Sequence, residues 1–230
     1  MRRSLLLVAC VCLMSAAAAS PVFAQLKQVA YIKASNAKMG DHFGNGGTLE
    51  GHAVALSGDG NTLAVGAPYE SSSAKGINGN QTDTSLYSAG AVYVFVRTNN
   101  AWSQQAYIKA SNPGQSDHFG FVVSLSQNGN TLAVSAPGEK SAAKGINGDQ
   151  SDDSIPNAGA VYVFTRTGAN WSQQAYVKAS NAEADDHFGW TVALSSDGNA
   201  VLAGAPHEDG GSTHVNGNQA DNSVGNSGAV

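Results

Sequence analysis

Short apolar runs alternate with Gly-, Asn- and Ser-rich breaks along the chain, and no run carries a helical period of useful length. Between residues 121 and 178 the pattern predicts four strands: 121–126, 131–135, 160–165 and 171–178. In the third, Val161 and Val163 point one way and Tyr162 and Phe164 the other, so both faces are apolar and must be covered. The fourth sets Ser172, Gln174, Tyr176 and Lys178 against Trp171, Gln173, Ala175 and Val177. It reads as a half-wet outer edge guarded by polar and Lys side chains. The break Gln127-Asn128-Gly129-Asn130 predicts a tight hairpin of type I′, in which Asn and Gly both accept positive φ. Gly58-Asp59-Gly60-Asn61 and Ser196-Asp197-Gly198-Asn199 repeat it.

The strand pattern belongs to a longer repeat. Ala67-Pro68, Ala136-Pro137 and Ala205-Pro206 stand 69 residues apart, and Asn78, Asn147 and Asn216 keep the same step. Asp-His-Phe-Gly begins at Asp41, Asp117 and Asp186; the first interval is 76 residues because seven extra residues fall in the Gly-rich stretch 45–51. A fixed period this long means stacked supersecondary units. Four antiparallel strands per unit, buried on both faces with one polar edge, describe a propeller blade. The fold class expected is therefore all-β, an incomplete β-propeller of four-stranded antiparallel blades, about two and a half of them. An outer strand at 28–34 leads, followed by blades at 43–110 and 119–179 and a partial blade at 188–230. Gly228-Ala229-Val230 falls inside an expected strand, so the chain is expected to be either a partial product or an open arc completed by self-association through open blade edges. The leading strand would then serve to complete the last blade of a ring.

Phe-Gly at 43–44, 119–120 and 188–189, with Gly-Ala-Pro at 66–68 and 204–206 and the variant Ser135-Ala136-Pro137, resembles the FG-GAP repeats of the integrin α-subunit propeller. The resemblance covers nearly all of the chain after residue 25, and its specificity lies in the ordered set of motifs. It implies blades around an axis, secretion, and recognition of an extracellular ligand. Many members of that family hold calcium on an Asp-x-Asp-x-Asp-Gly loop between the Phe-Gly and Gly-Ala-Pro strands. Here that hairpin carries one carboxylate or none, too few for an ion that takes six to eight oxygens.

The first 24 residues read as a signal peptide of the general secretory type. Arg2-Arg3 is a basic start, an apolar stretch follows, and Val22-Phe23-Ala24 sets cleavage at Ala24/Gln25. A secreted or cell-surface location follows. Both cysteines, Cys10 and Cys12, lie inside that segment, so disulfides and thiol chemistry are excluded from the remainder. Loss of Arg2 and Arg3 takes the net charge from −5 to −7, which disfavours a nucleic-acid partner. No second apolar stretch is long enough to span a membrane.

Up-and-down topology puts the loops between second and third strands, 69–88 and 138–157, on one face with the Asp-His-Phe-Gly turns. Loops of about 20 residues are uncommon and usually functional, so this face is the expected binding surface. Candidate ligand-binding residues are Asn78, Asn80 and Asp83, Asn147, Asp149 and Asp152, and Asn216, Asn218 and Asp221. With Glu70, Glu139 or Glu208 near in sequence, these oxygens offer ligands for calcium. The same residue types make Asx-turns that brace a long loop, and both readings stand. The recurring Asp-His pairs are expected to hold turns rather than to catalyse, since catalytic groups must converge on one substrate. Trp102, Trp171 and Trp190 read as blade packing first and a sugar-stacking platform second.

The function expected is a non-enzymatic binding or adhesion module that recognises an extracellular protein or glycan through the long-loop face. The alternatives are an accessory propeller of a larger secreted hydrolase or lyase, and a cell-surface spacer.

Overall fold

The computed structural model describes residues 28–45 and 52–230. The signal expected over 1–24 and residues 46–51 of the Gly-rich stretch lie outside the described residues. The first sheet runs β1 (Val54–Leu56), β2 (Thr62–Ala67), β3 (Ala91–Thr98) and β4 (Ala101–Ile108). The second runs β5 (Val123–Leu125), β6 (Thr131–Ala136), β7 (Ala160–Thr167) and β8 (Asn170–Val177). Each is antiparallel with strands side by side in chain order, as partial propeller blades require. A third begins with β9 (Thr191–Leu194) and β10 (Val201–Gly204), and an Ala205–Ala229 bridge marks the place of its third strand. Among the described residues no helix is long and apolar enough to cross a membrane.

The doubly apolar third strand is confirmed, since Ala160–Phe164 in β7 and Ala91–Phe95 in β3 are all buried. β5 is shorter than its apolar run because the residues before it are engaged otherwise. Phe121 N closes a turn on His118 O at 3.0 Å, and Val122 N donates to Ser135 Oγ at 2.9 Å.

Three local expectations are corrected. The hairpins are not type I′, for only their glycines (Gly60, Gly129, Gly198) are left-handed. Asp59, Asn128 and Asp197 instead accept the backbone N–H two residues on, at 2.9, 2.9 and 3.1 Å, and a flanking serine hydroxyl. An Asx side chain thus satisfies the amide that a second left-handed residue would otherwise redirect.

The fourth strand does not keep a wet face. A β-bulge pairs Val163 with Ala175 and Phe164 with Gln173, leaving Gln174 unpaired, and Gln105 is skipped likewise in β4. One extra residue inverts the alternation beyond it. Tyr176 and Lys178 therefore turn into the core, and Lys178 does not guard the edge.

The outer strand expected at 28–34 is not formed. Its counterparts β4 and β8 are held by ladders to β3 and β7. Within the unit Ile32–Val230, Ile32 and Ala34 pack on the cluster of Tyr93, Phe95 and Tyr107.

The repeat motifs are the joints between blades. Phe119 packs edge-on to Tyr162 and Phe164 of its own blade, with centroids 5.3 and 6.1 Å away, and Phe43 does the same with Tyr93 and Phe95. Phe119 also forms a parallel bridge to Gly90 of the preceding blade, as Phe188 does to Gly159. The hairpin tips are chained too, Gly58 N to Gln127 O and Gln127 N to Ser196 O, both at 2.8 Å. β1, β5 and β9 face one another as the innermost strands.

Candidate functional site

The long loops are held by the residues nominated as ligands. Asn78 and Asn147 are left-handed and accept the N–H of Tyr107 and Tyr176 at 2.9 Å, tying each loop to its fourth strand. Asn80 accepts Thr82 N at 3.0 Å, Asp149 accepts Ser151 N at 2.9 Å, and Asn218 accepts Ala220 N at 3.1 Å. Asp83 takes Ser85 N and Ser73 N, Asp152 takes Ser154 N and Ala142 N, and Asp221 takes Ser223 N. These hydrogen bonds hold the carboxylates of Asp83, Asp149 and Asp152 below their ordinary pKa, the largest contribution coming from Ser73, Ser151 and Ser154 hydroxyls. The Asx-turn reading thus describes the geometry. Asn216 is left-handed like its counterparts.

The glutamates lie deeper than the loop oxygens. Glu139 and Lys178 form a fully buried pair at 2.6 Å, and Glu139 also accepts from Tyr176 Oη at 2.8 Å, Asn112 Nδ2 at 3.0 Å and Ser141 N at 3.2 Å. Glu70 and Lys109 repeat the pair at 2.8 Å. Burial pushes both lysines below their ordinary pKa, against the pull of the paired glutamate. Glu208 accepts from Asn181 Nδ2 at 2.8 Å.

Each recurring aspartate holds the turn ahead of it. Asp41, Asp117 and Asp186 accept the N–H three residues back, from Lys38, Gly114 and Glu183, at 2.9, 2.6 and 2.8 Å. Burial nonetheless raises all three pKa values. The histidines that follow are left-handed, with φ of 55, 58 and 56°, which turns their rings outward onto the long-loop face.

There they meet aromatic residues. Tyr69 stands between His42 and His118, with ring centroids at 4.7 and 5.1 Å. His207, at the place equivalent to Tyr69 two repeats on, lies 5.0 Å from His187. The intervening equivalent is Gly138, so between His118 and His187 no ring is supplied and a cleft of about 210 Å³ opens. A Cβ on Gly138 would stand 2.1 Å from Ser116 O, which holds this position to glycine.

Phe121 and Trp190 form the inner wall, ring to ring at 5.0 Å, and Trp190 meets His187 edge-on at 5.3 Å. Asn157 and Pro137 complete the lining. His187 Nδ1 donates to Asp185 O at 2.7 Å, which in the neutral ring leaves Nε2 as an acceptor. Burial, then Lys140 and His187, push His118 below its ordinary pKa. The cleft combines flat apolar faces with hydrogen-bond donors and acceptors.

Of the cleft residues, His118, His187 and Pro137 belong to the recurring motifs and Trp190 stands out as a tryptophan, whereas the signal that marks Tyr69, Gly138 and Phe121 is difference between copies. After Ala-Pro the chain reads Tyr69, Gly138 and His207; after Phe-Gly it reads Asn45, Phe121 and Trp190. The three tryptophans part company as well. Trp102 and Trp171 sit on outer strands under Arg97 and Arg166, at 5.7 and 5.2 Å, whereas Trp190 lines the cleft.

A family model described as FG-GAP repeat matches residues 102–164 and 171–230. Each match runs from an outer strand through the third strand of the next blade, so the family unit straddles two sheets. Among curated proteins no match was found.

Proposed function

The chain belongs to the FG-GAP repeat family, and from the cleft its blades build we propose that it is a secreted, non-enzymatic binding module that recognises a glycan on the long-loop face. The observation that carries the reading is the gap at Gly138, walled by Tyr69 and Trp190 and flanked by His118 and His187. Sugar rings present apolar C–H faces and a rim of hydroxyls. The first suit aromatic rings, and the second suit hydrogen-bonding groups such as His187 Nε2 and Asn157. Concave shape and pre-formed walls keep the ordering cost of binding low.

The test is a glycan array probed with the wild-type chain and with Trp190→Ala. Selective binding that weakens about tenfold or more in the variant, with unchanged thermal stability, supports the reading. Equal binding by the variant, or binding only to immobilised proteins, would overturn it.

A further inference from the structure

The rings on the long-loop face form a row with one gap. Tyr69 is flanked by His42 and His118, and His207 stands against His187, with ring centroids at 4.7, 5.1 and 5.0 Å. Between these two groups the place of the next ring falls to Gly138. The vacancy is set by backbone: a Cβ on Gly138 would lie 2.1 Å from Ser116 O, and Gly138 N donates to Asp117 O at 3.2 Å.

The gap is stopped at both ends of the row. His118 is backed by Tyr69 on one side, and on the other His187 is backed by His207 and meets Trp190 edge-on at 5.3 Å. Phe121 against Trp190 shuts the inner side. Backbone anchors both histidines, His118 N donating to Ser88 O at 3.1 Å and His187 N to Asn157 O at 2.9 Å. A chain laid along the row would have to displace rings that already pack on one another. The volume, about 210 Å³, is also small. It falls below the roughly 300 Å³ at which pockets for drug-sized ligands begin, so one sugar ring fills it.

The walls keep polar groups unspent. Trp171 Nε1 donates to Gln105 Oε1, whereas Trp190 Nε1, Tyr69 Oη and the His118 ring make no hydrogen bond among the described residues. Asn157 gives Nδ2 to Asp185 Oδ1 at 2.8 Å, which fixes the amide and leaves its carbonyl oxygen to accept.

Resting on the glycan reading of this cleft, we propose that it takes a single terminal sugar, entered end-on with its ring in the place that Tyr69 fills between His42 and His118, and refuses an internal segment of a chain. The hydroxyls of that sugar meet the unspent groups of the walls, and the linkage to the rest of the glycan points to solvent. Affinity then resides in one residue and does not grow with chain length.

The experiment is calorimetric titration of the wild-type chain with three probes built from the oligosaccharide that binds most tightly on the array. They are that oligosaccharide, the methyl glycoside of its non-reducing terminal sugar, and the oligosaccharide with a sugar of a different kind added to that terminus. The methyl glycoside is expected to bind within about tenfold of the parent, and the capped chain at least about tenfold more weakly than the parent. Failure of either expectation, as when affinity climbs with each added sugar or the capped chain binds as tightly as the parent, would overturn the proposal and leave the glycan reading standing. An array on which no glycan binds removes the glycan reading itself, and the terminal-sugar proposal with it.

Discussion

Gly66 and Gly120 meet backbone against backbone: a Cβ built on Gly66 would lie 1.9 Å from the carbonyl oxygen of Gly120. Gly66 belongs to the Gly-Ala-Pro of one blade and Gly120 to the Phe-Gly of the next, so the two motifs that name the family touch across the blade joint. Gly120 is left-handed at φ 91° and its N–H donates to Ser135 O at 2.9 Å in its own blade, so one residue serves both contacts.

Gly66→Ala should therefore destabilise strongly, by about 3 kcal/mol, because backbone must move to admit the methyl group. At the next joint Ser135 takes the equivalent place and its Cβ lies 3.2 Å from where a Cβ of Gly189 would be, so a side chain already fits there. Ser135→Ala should cost about 1 kcal/mol, the worth of the lost hydrogen bond to Val122 N. Chemical denaturation of both variants checks the contrast, and equal losses would refute it.

The buried Glu139–Lys178 pair should behave asymmetrically. Removing one partner, as in Lys178→Met, strands a carboxylate in the core and should cost about 3 to 5 kcal/mol. Replacing both, as Glu139→Met with Lys178→Met, should cost distinctly less, since two apolar groups leave no unpaired charge. A double-mutant cycle by thermal unfolding measures the coupling.

His118 sets a pH dependence. Its pKa is lowered in the fold, so the stability it contributes is fully present above its unfolded value near 6.5 and is lost as pH falls through the folded value. Thermal midpoints should decline on acidification below about 6.5, and His118→Gln should flatten that part of the profile. An unchanged slope in the variant would assign the decline elsewhere.

The all-β fold and its repeat were legible because strand period, turn residues and a fixed 69-residue step all report backbone architecture. The facing of the outer strand was not. The alternation of Trp171–Lys178 reads correctly up to Gln173, and the bulge at Gln174 then inverts it, an event set by pairing with β7 rather than by the strand's own letters. Lys178 consequently looked like an edge guard and proved to be a buried counter-ion. The long-loop face follows from topology alone, but the cleft on it is built where the copies differ. Asn80, Asp149 and Asp152 recur because every long loop needs its turns satisfied; Gly138 and Trp190 matter because their counterparts are Tyr69, His207, Asn45 and Phe121.

The three tryptophans give the most direct test of the glycan cleft, because each indole N–H yields its own resonance and only Trp190 lines the cleft. Trp171 Nε1 donates to Gln105 Oε1 at 3.0 Å inside the blade joint, and Trp102 stacks under Arg97. A ¹H–¹⁵N titration with the oligosaccharide selected on the array should shift the Trp190 indole and leave those of Trp102 and Trp171 in place. A Trp190 resonance that stays fixed at saturating oligosaccharide would contradict the account.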